Sequence, residues 1–418
     1  MYDAAELAEQ VSDFVLKEYG PEEGPAPNAF SSHPSWARLR ELGTELWLDT
    51  GSIQESAALW TAEFSALTTN NTLLNREVGS GQYDSLIAET RELLSPYDLS
   101  DEELNLEIAF VLNAAHGLRL VEEYGAYVSV EEHTDLANDV ESAVFYARRY
   151  HEVCPDRFIV KIPFTPAGLL ATRILSEEGV PVNHTLGFSA RQNYVIARIG
   201  RPAYVNVFMG RLNSFIADND LGNGNFVGEK ATLASQAAVR ELRAAGQVPS
   251  RQIGASMRGG EQVRDLAGID VMTIPPKAAR GFLDLGIPPA ELVDGTGRQP
   301  EPGVRDDVDP AEIRIENLWE IDDRLVACLD ALENEDLQRF SPSALLTFFA
   351  DRGCGDILVR WTDDHRTRSI EEGKIPDWRH WKDELRDGRV GLDAIMNLAG
   401  LNAFVADQHK MDDHIQEA

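Results

Sequence analysis

Apolar positions along this chain fall into two alternating rhythms. Leu7, Val11, Phe14 and Val15 recur at helical spacing, which predicts a helix over 4–19, and a Pro/Gly-rich stretch over 20–34 breaks it. Short β-rich runs then recur at 45–49, 65–69, 126–130, 158–161, 182–186, 203–207, 252–256 and 270–274. Between them lie helical patterns such as 166–178 and 228–245, with Gly179 and Gly246 placed to end them. No hairpin turn joins consecutive runs, so parallel strands with right-handed crossovers are expected. Eight such units close into a (β/α)8 TIM barrel, an α/β fold. The rival is an open doubly wound sheet, which usually announces itself by a Gly-rich phosphate loop after its first strand. Here that strand runs into Asp49-Thr-Gly-Ser52, without GxGxxG spacing, and the barrel is the better reading.

The rhythm changes after Pro276. Residues 286–310 hold five prolines among glycines and acids, the composition of a linker or surface loop. Beyond them only helical patterns follow, over 312–332, 342–351 behind Ser341 as an N-cap, 376–385 and 392–407. The expected organisation is an N-terminal helical segment (1–44), a catalytic barrel (45–285), a linker (286–310) and a helical C-terminal extension (311–418). The extension is expected to cover the barrel mouth or to support contacts within a homo-oligomer.

Composition narrows the partners. A hydrophobic fraction of 43% and a charged fraction of 26% over 418 residues are ordinary for a globular protein. The net charge of −32 argues against nucleic acid or an anionic membrane as partner. An anionic substrate would therefore need a local cluster of basic groups working against the overall field. Cys154, Cys328 and Cys354 are far apart and odd in number, so a reducing compartment is expected rather than a disulfide framework. The acidic N-terminus does not resemble a signal peptide, and no apolar run reaches the ~18 residues of a membrane span. A cytoplasmic location is expected.

The chemistry-bearing feature is Lys161, inside the apolar run Arg157-Phe-Ile-Val-Lys-Ile-Pro-Phe164. Burial disfavours the charged form of a lysine, and a neutral amine is a nucleophile that can form a Schiff base with a carbonyl. The plainer alternative is a lysine reaching from a strand end to water. Barrel enzymes assemble their sites at the C-terminal ends of several strands. Polar residues at those ends are Asp49, Asn70, Glu131, Lys161, Asn183 with Thr185, Arg211, and Ser256 with Arg258. Each has a bland reading taken singly: Asp49 as a helix cap, Asn70 as a turn residue, Arg211 paired with Asp218 or Asp220. Their shared position at strand ends favours a site.

Seven ordered segments resemble the transaldolase family. They are Leu46-Trp-Leu-Asp-Thr50, Thr68-Thr-Asn-Asn-Thr72, Val128-Ser-Val-Glu131, Val160-Lys-Ile-Pro163, Val182-Asn-His-Thr-Leu-Gly-Phe-Ser189, Phe208-Met-Gly-Arg-Leu212 and Ala255-Ser-Met-Arg258. The resemblance implies transfer of a dihydroxyacetone unit between sugar phosphates through a Schiff base on Lys161, with neither metal nor organic cofactor. It implies Asp49 as the acid–base group at the C4 hydroxyl, and Glu131 with Thr185 as holders of a proton-shuttling water. Asn70 and Asn183 would bind hydroxyls of the retained three carbons, and Arg211, Ser256 and Arg258 the substrate phosphate. Phe208 stands where the related fructose 6-phosphate aldolases tend to carry tyrosine. Two departures fall near the site: Asn206-Val207 replaces the family's Ser-Pro, and Asn71 replaces a proline.

Other signals are weaker. The segment 218–229 has the length of a calcium loop but carries Asn223 where the sharp turn needs glycine, and Gly222 where a ligand is needed. The nine histidines form no HExxH cluster. Lys277 is the competing Schiff-base candidate, in what reads as a loop-to-helix junction. The alternatives to a transaldolase are an aldolase-like lyase using the same machinery, and a non-catalytic sugar-phosphate-binding barrel.

Overall fold

A computed structural model describes residues 4–20, 25–26 and 29–417. The break expected over 20–34 and the acidic start of the chain fall partly outside these residues. Eight parallel strands close into a barrel in sequence order. They are β1 (Glu45–Asp49), β2 (Phe64–Thr68), β3 (Tyr127–Glu131), β4 (Phe158–Pro163), β5 (Val182–Thr185), β6 (Tyr204–Phe208), β7 (Arg251–Ala255) and β8 (Val271–Ile274). Each lies within two residues of its expected run, and the (β/α)8 expectation holds.

Strand alternation explains how the barrel is built. Successive side chains point to opposite faces, so residues two apart share the interior. Trp47, Ala66, Ile159, Ile253, Ala255 and Val271 form one apolar cluster inside. Two residues further along their strands stand Asp49, Thr68 and Lys161, and Thr273 follows Val271 in the same way. The interior thus changes from packed carbon at the N-terminal end to polar groups at the C-terminal end. At the apolar end Glu45 accepts hydrogen bonds from the Trp47 indole (2.8 Å) and the Ser65 hydroxyl (2.9 Å) and pairs with Arg251. The outward-facing Leu46, Leu48, Leu67, Val128 and Val160 belong to the larger core beneath the helices.

The first helix spans Ala4–Tyr19 as expected, burying Leu7, Val11 and Val15. The Pro/Gly-rich segment is tied down rather than free. Val304 bridges Gly222 antiparallel, Arg305 N donates to Leu221 O, and Gly303 N donates to Asn225 O. In the extension, the helix expected over 312–332 is broken. Arg314 adopts a left-handed backbone (φ 51°) and ends Pro310–Ile313, and Asp322 caps a new helix, Asp323–Leu332. The pattern at 376–385 resolves into a single 3₁₀ turn and the short helix Lys382–Arg386. The last helix, Leu392–Glu417, runs past its expected end because Met411 and Ile415 are also buried. Among the described residues no helix is long and apolar enough to cross a membrane.

Candidate active site

Register sets the centre of the site. Glu131 pairs with Lys161 across β3 and β4, and Lys161 with Asn183 across β4 and β5, so the three side chains stand side by side. Lys161 is 5% exposed; its Nζ lies 3.5 Å from Glu131 Oε1 and donates to the Thr69 carbonyl at 3.3 Å. The second Glu131 oxygen accepts from the Asn71 backbone N–H at 3.0 Å. Burial pushes the Glu131 carboxyl above its ordinary range, while the Lys161 ammonium and the Asn71 N–H pull it back. Burial likewise raises Asp49, opposed by a 2.7 Å hydrogen bond from Thr68 and by the charge on Lys161. Thr68 is fixed in turn by Thr273, 2.6 Å away. The site therefore holds one buried and one half-buried carboxyl beside a buried amine, the setting in which carboxyl groups are tuned toward neutral pH.

Eight of the ten expected residues line one cavity of about 560 Å³: Asp49, Asn70, Lys161, Asn183, Phe208, Arg211, Ser256 and Arg258. Glu131 and Thr185 are buried beside it rather than on its wall, and the Thr185 hydroxyl is an unpartnered donor. The Asn70 carbonyl caps the helix Asn71–Val78 through Leu73 N at 2.9 Å, which leaves its amide N–H groups for a ligand. Asn183 is already engaged at both ends, donating to Ser129 Oγ and accepting from Asn206 Nδ2, each at 3.1 Å.

The cavity reverses the charge of the surrounding protein. Arg76, Lys161, Arg211, Arg258, Lys277, Arg280 and Lys374 line it, against only Asp49 and Glu55. Burial and the neighbouring Arg258 push Arg211 down to about 10, opposed by Asp407 and Glu131. Its Nη1 is buried without a partner, so Arg211 keeps an unspent donor, of the kind that suits an anion. Ser256 holds a left-handed backbone (φ 61°), a costly conformation for a residue with a Cβ. A Cβ on Gly210 would collide with the Ser256 carbonyl and meet Arg258 Nε at 2.6 Å, so glycine there lets the two loops close on one another. Lys277 lies at the rim and is exposed, unlike Lys161.

Sequence reasoning missed several contributors. Thr68 and Thr273 carry ordinary strand residue types, yet they orient Asp49. Asn206 donates to Asn183 Oδ1 and to the His184 carbonyl (3.2 Å), leaving its own carbonyl oxygen unpartnered at the cavity wall. Its departure from the family pattern was the available signal. Phe404 and Lys374 enter from the extension and had none. The segment 218–229 serves the fold: Glu229 accepts from Asn213 (3.0 Å) and Gln262 (2.8 Å).

A family sequence model described as Transaldolase/Fructose-6-phosphate aldolase matches residues 46–345. The chain belongs to that family. A protein named probable transaldolase from Thermus thermophilus is 33% identical over 235 residues, covering 55% of this chain and 86% of the relative. A transaldolase from Xanthomonas euvesicatoria pv. vesicatoria is 28% identical over 249 residues, covering 57% of this chain and 75% of the relative. A third, a transaldolase from Rhizobium leguminosarum bv. trifolii, is 26% identical over 279 residues, or 64% and 83% respectively. The expectation of a transferase-type enzyme of the transaldolase family accordingly stands. The family match extends past the last resembling motif, through the Pro/Gly-rich segment and into the first helices of the extension.

Proposed function

We propose that this chain is a cytoplasmic transaldolase. It moves a dihydroxyacetone unit from sedoheptulose 7-phosphate or fructose 6-phosphate to an aldose phosphate, as in the pentose phosphate pathway. The observation that carries this reading is the buried Lys161 nitrogen, 3.5 Å from Glu131 in a cavity shared with Asp49 and lined by cations. The amine adds to C2 of the ketose phosphate, and loss of water gives an iminium. Asp49 takes the proton of the C4 hydroxyl as the C3–C4 bond breaks, and the iminium receives the electron pair as an enamine. The aldose phosphate leaves, a second aldehyde takes its place, and the steps reverse. Glu131, with a water bonded to the Thr185 hydroxyl, carries protons during imine formation and hydrolysis. Arg211, Ser256 and Arg258 hold the phosphate, and Asn70 and Asn183 orient the retained carbons. Phe208 favours transfer over the aldolase reaction.

Borohydride reduction in the presence of fructose 6-phosphate tests the covalent step. Peptide mapping is expected to find the added mass on Lys161. Mass on Lys277, or none at all, overturns the assignment.

Asn71 supplies a second prediction. A proline is tolerated at the first position of a helix but has no N–H to donate. Asn71→Pro therefore removes a bond that lowers the Glu131 pKa, and that pKa rises further. If turnover requires ionised Glu131, the acid limb of the kcat profile moves to higher pH in Asn71→Pro and stays in place in Asn71→Ala, which keeps the N–H. Equal profiles in the two variants would remove Glu131 from the titration.

A further inference from the structure

The matched family region ends at residue 345, yet the cavity wall includes Phe404, from the last helix. The Phe404 ring centre lies 5.6 Å from Lys161 Nζ, 5.6 Å from the Arg211 guanidinium carbon and 6.3 Å from the Phe208 ring. Phe404 is 5% exposed, so the ring is clamped rather than swinging. Three contacts hold its helix down close to the site. Thr72 donates to Asp407 Oδ2 at 2.5 Å, tying the helix to the one that follows β2. Asn397 Nδ2 donates to the Leu186 carbonyl at 3.0 Å, tying it to the loop after β5. Gly400 lies flat on the site, where a Cβ would stand 3.3 Å from both Arg211 Nη1 and Phe188. Burial raises the Asp407 carboxyl, but the Thr72 hydroxyl, Lys410 and Lys374 together hold it below its ordinary range, so the clasp is ionic at neutral pH.

An aromatic face beside a nitrogen favours its cationic form and leaves no room for water on that side. Both effects matter most after C3–C4 cleavage, when the adduct can go two ways. Release requires the enamine carbon to take a proton and water to add to the resulting iminium carbon. The C–N bond then breaks, giving free dihydroxyacetone and the lysine amine. Transfer instead joins the enamine carbon to the acceptor's aldehyde carbon, whose oxygen takes a proton, and water then hydrolyses the product iminium; the branches part at protonation of the enamine carbon.

Building on the transaldolase reading, we infer that Phe404 is a positioning residue that roofs one side of the Lys161 adduct, keeps solvent there from protonating its enamine carbon and so commits the three-carbon unit to transfer. Thr72 and Asp407 are the clasp that holds this roof in place.

The test measures free dihydroxyacetone against transferred product in the full-length chain, with Lys161 labelling by borohydride run in parallel. Phe404→Ala is expected to raise release relative to transfer about tenfold, and Phe404→Leu, which keeps apolar bulk, to recover most of the transfer. Thr72, which also lines the cavity, keeps its shape but loses the clasp hydroxyl in Thr72→Val, and this variant should shift the ratio the same way, about threefold. Because Phe404→Ala could fail to fold, the Leu and Val variants carry the test independently. Normal labelling of Lys161 with an unchanged ratio in all three variants overturns the roof and leaves the Schiff base standing. Absence of label in the parent chain overturns the underlying reading and the roof with it.

Discussion

Lys161→Met is expected to lose turnover by roughly 10⁴-fold or more, because no other group can supply the covalent bond through which the substrate is activated. Methionine fills nearly the same volume, so the loss will not come from a hole in the barrel. What remains intact makes the variant informative. Arg211 lies in the helix that follows β6 and Arg258 in the loop that follows β7, and their cavity positions do not depend on the lysine. Inorganic phosphate and sugar phosphates should therefore still bind, which titration calorimetry can measure. Lost binding alongside lost turnover would mean that the lysine supports the cavity rather than the chemistry. Retained turnover would end the Schiff-base reading at once.

Asp393→Ala is expected to lower stability by about 3–5 kcal/mol, the usual consequence of stranding one partner of a buried ion pair. Arg191 lies between two buried carboxylates, 2.7 Å from Asp393 and 2.8 Å from Asp356. Asp393 also accepts from Ser189 Oγ at 2.6 Å. Arg191 and Ser189 belong to the start of the helix after β5, whereas Asp393 begins the last helix. The network joins the extension to the barrel. Burial works against the Arg191 charge, but Asp393 and Asp356 more than offset it and hold its pKa above the usual arginine value. With Asp393 removed, the guanidinium keeps Asp356 alone. Urea unfolding should show a clearly lower midpoint, since domains of this kind are stable by only about 5–15 kcal/mol. A midpoint within experimental error of the parent would show that the extension is anchored elsewhere.

The barrel was legible because each strand carries its own signature. A short apolar run recurs eight times, in several cases with a polar residue such as Asp49, Glu131 or Lys161 at or near its end, and eight such runs admit few closures. Lys161 is the clearest case, since an ammonium in Phe-Ile-Val-Lys-Ile contradicts the burial of its neighbours. Ordered strand-end residues also located the cavity, because parallel register brings strand ends to one rim without any knowledge of the loops. What stayed hidden depends on packing between distant segments. Phe404 sits in a helix whose apolar residues surround it on every side, so it reads as an ordinary core aromatic. The helix Asp363–Glu372 was not anticipated because only Ser369 is buried; its capping box, Thr362 with His365, carries the local information instead. The break at Arg314 left no trace either, since arginine has no preference for a left-handed backbone. Asn206 and Asn71 were visible only as departures, and their meaning emerged once their hydrogen bonds could be traced.

The order in which the cavity is completed along the chain has a consequence for synthesis. Lys161, Asp49, Glu131, Arg211 and Arg258 all precede residue 275, but one wall of the cavity arrives with residue 404. A nascent or truncated polypeptide lacking the helix Leu392–Glu417 would hold the Lys161 amine and the cavity guanidiniums with no Phe404 ring above them. On the proposed reaction such a fragment would squander its intermediate on solvent, and faithful exchange between sugars would begin only once this helix has been made and has docked.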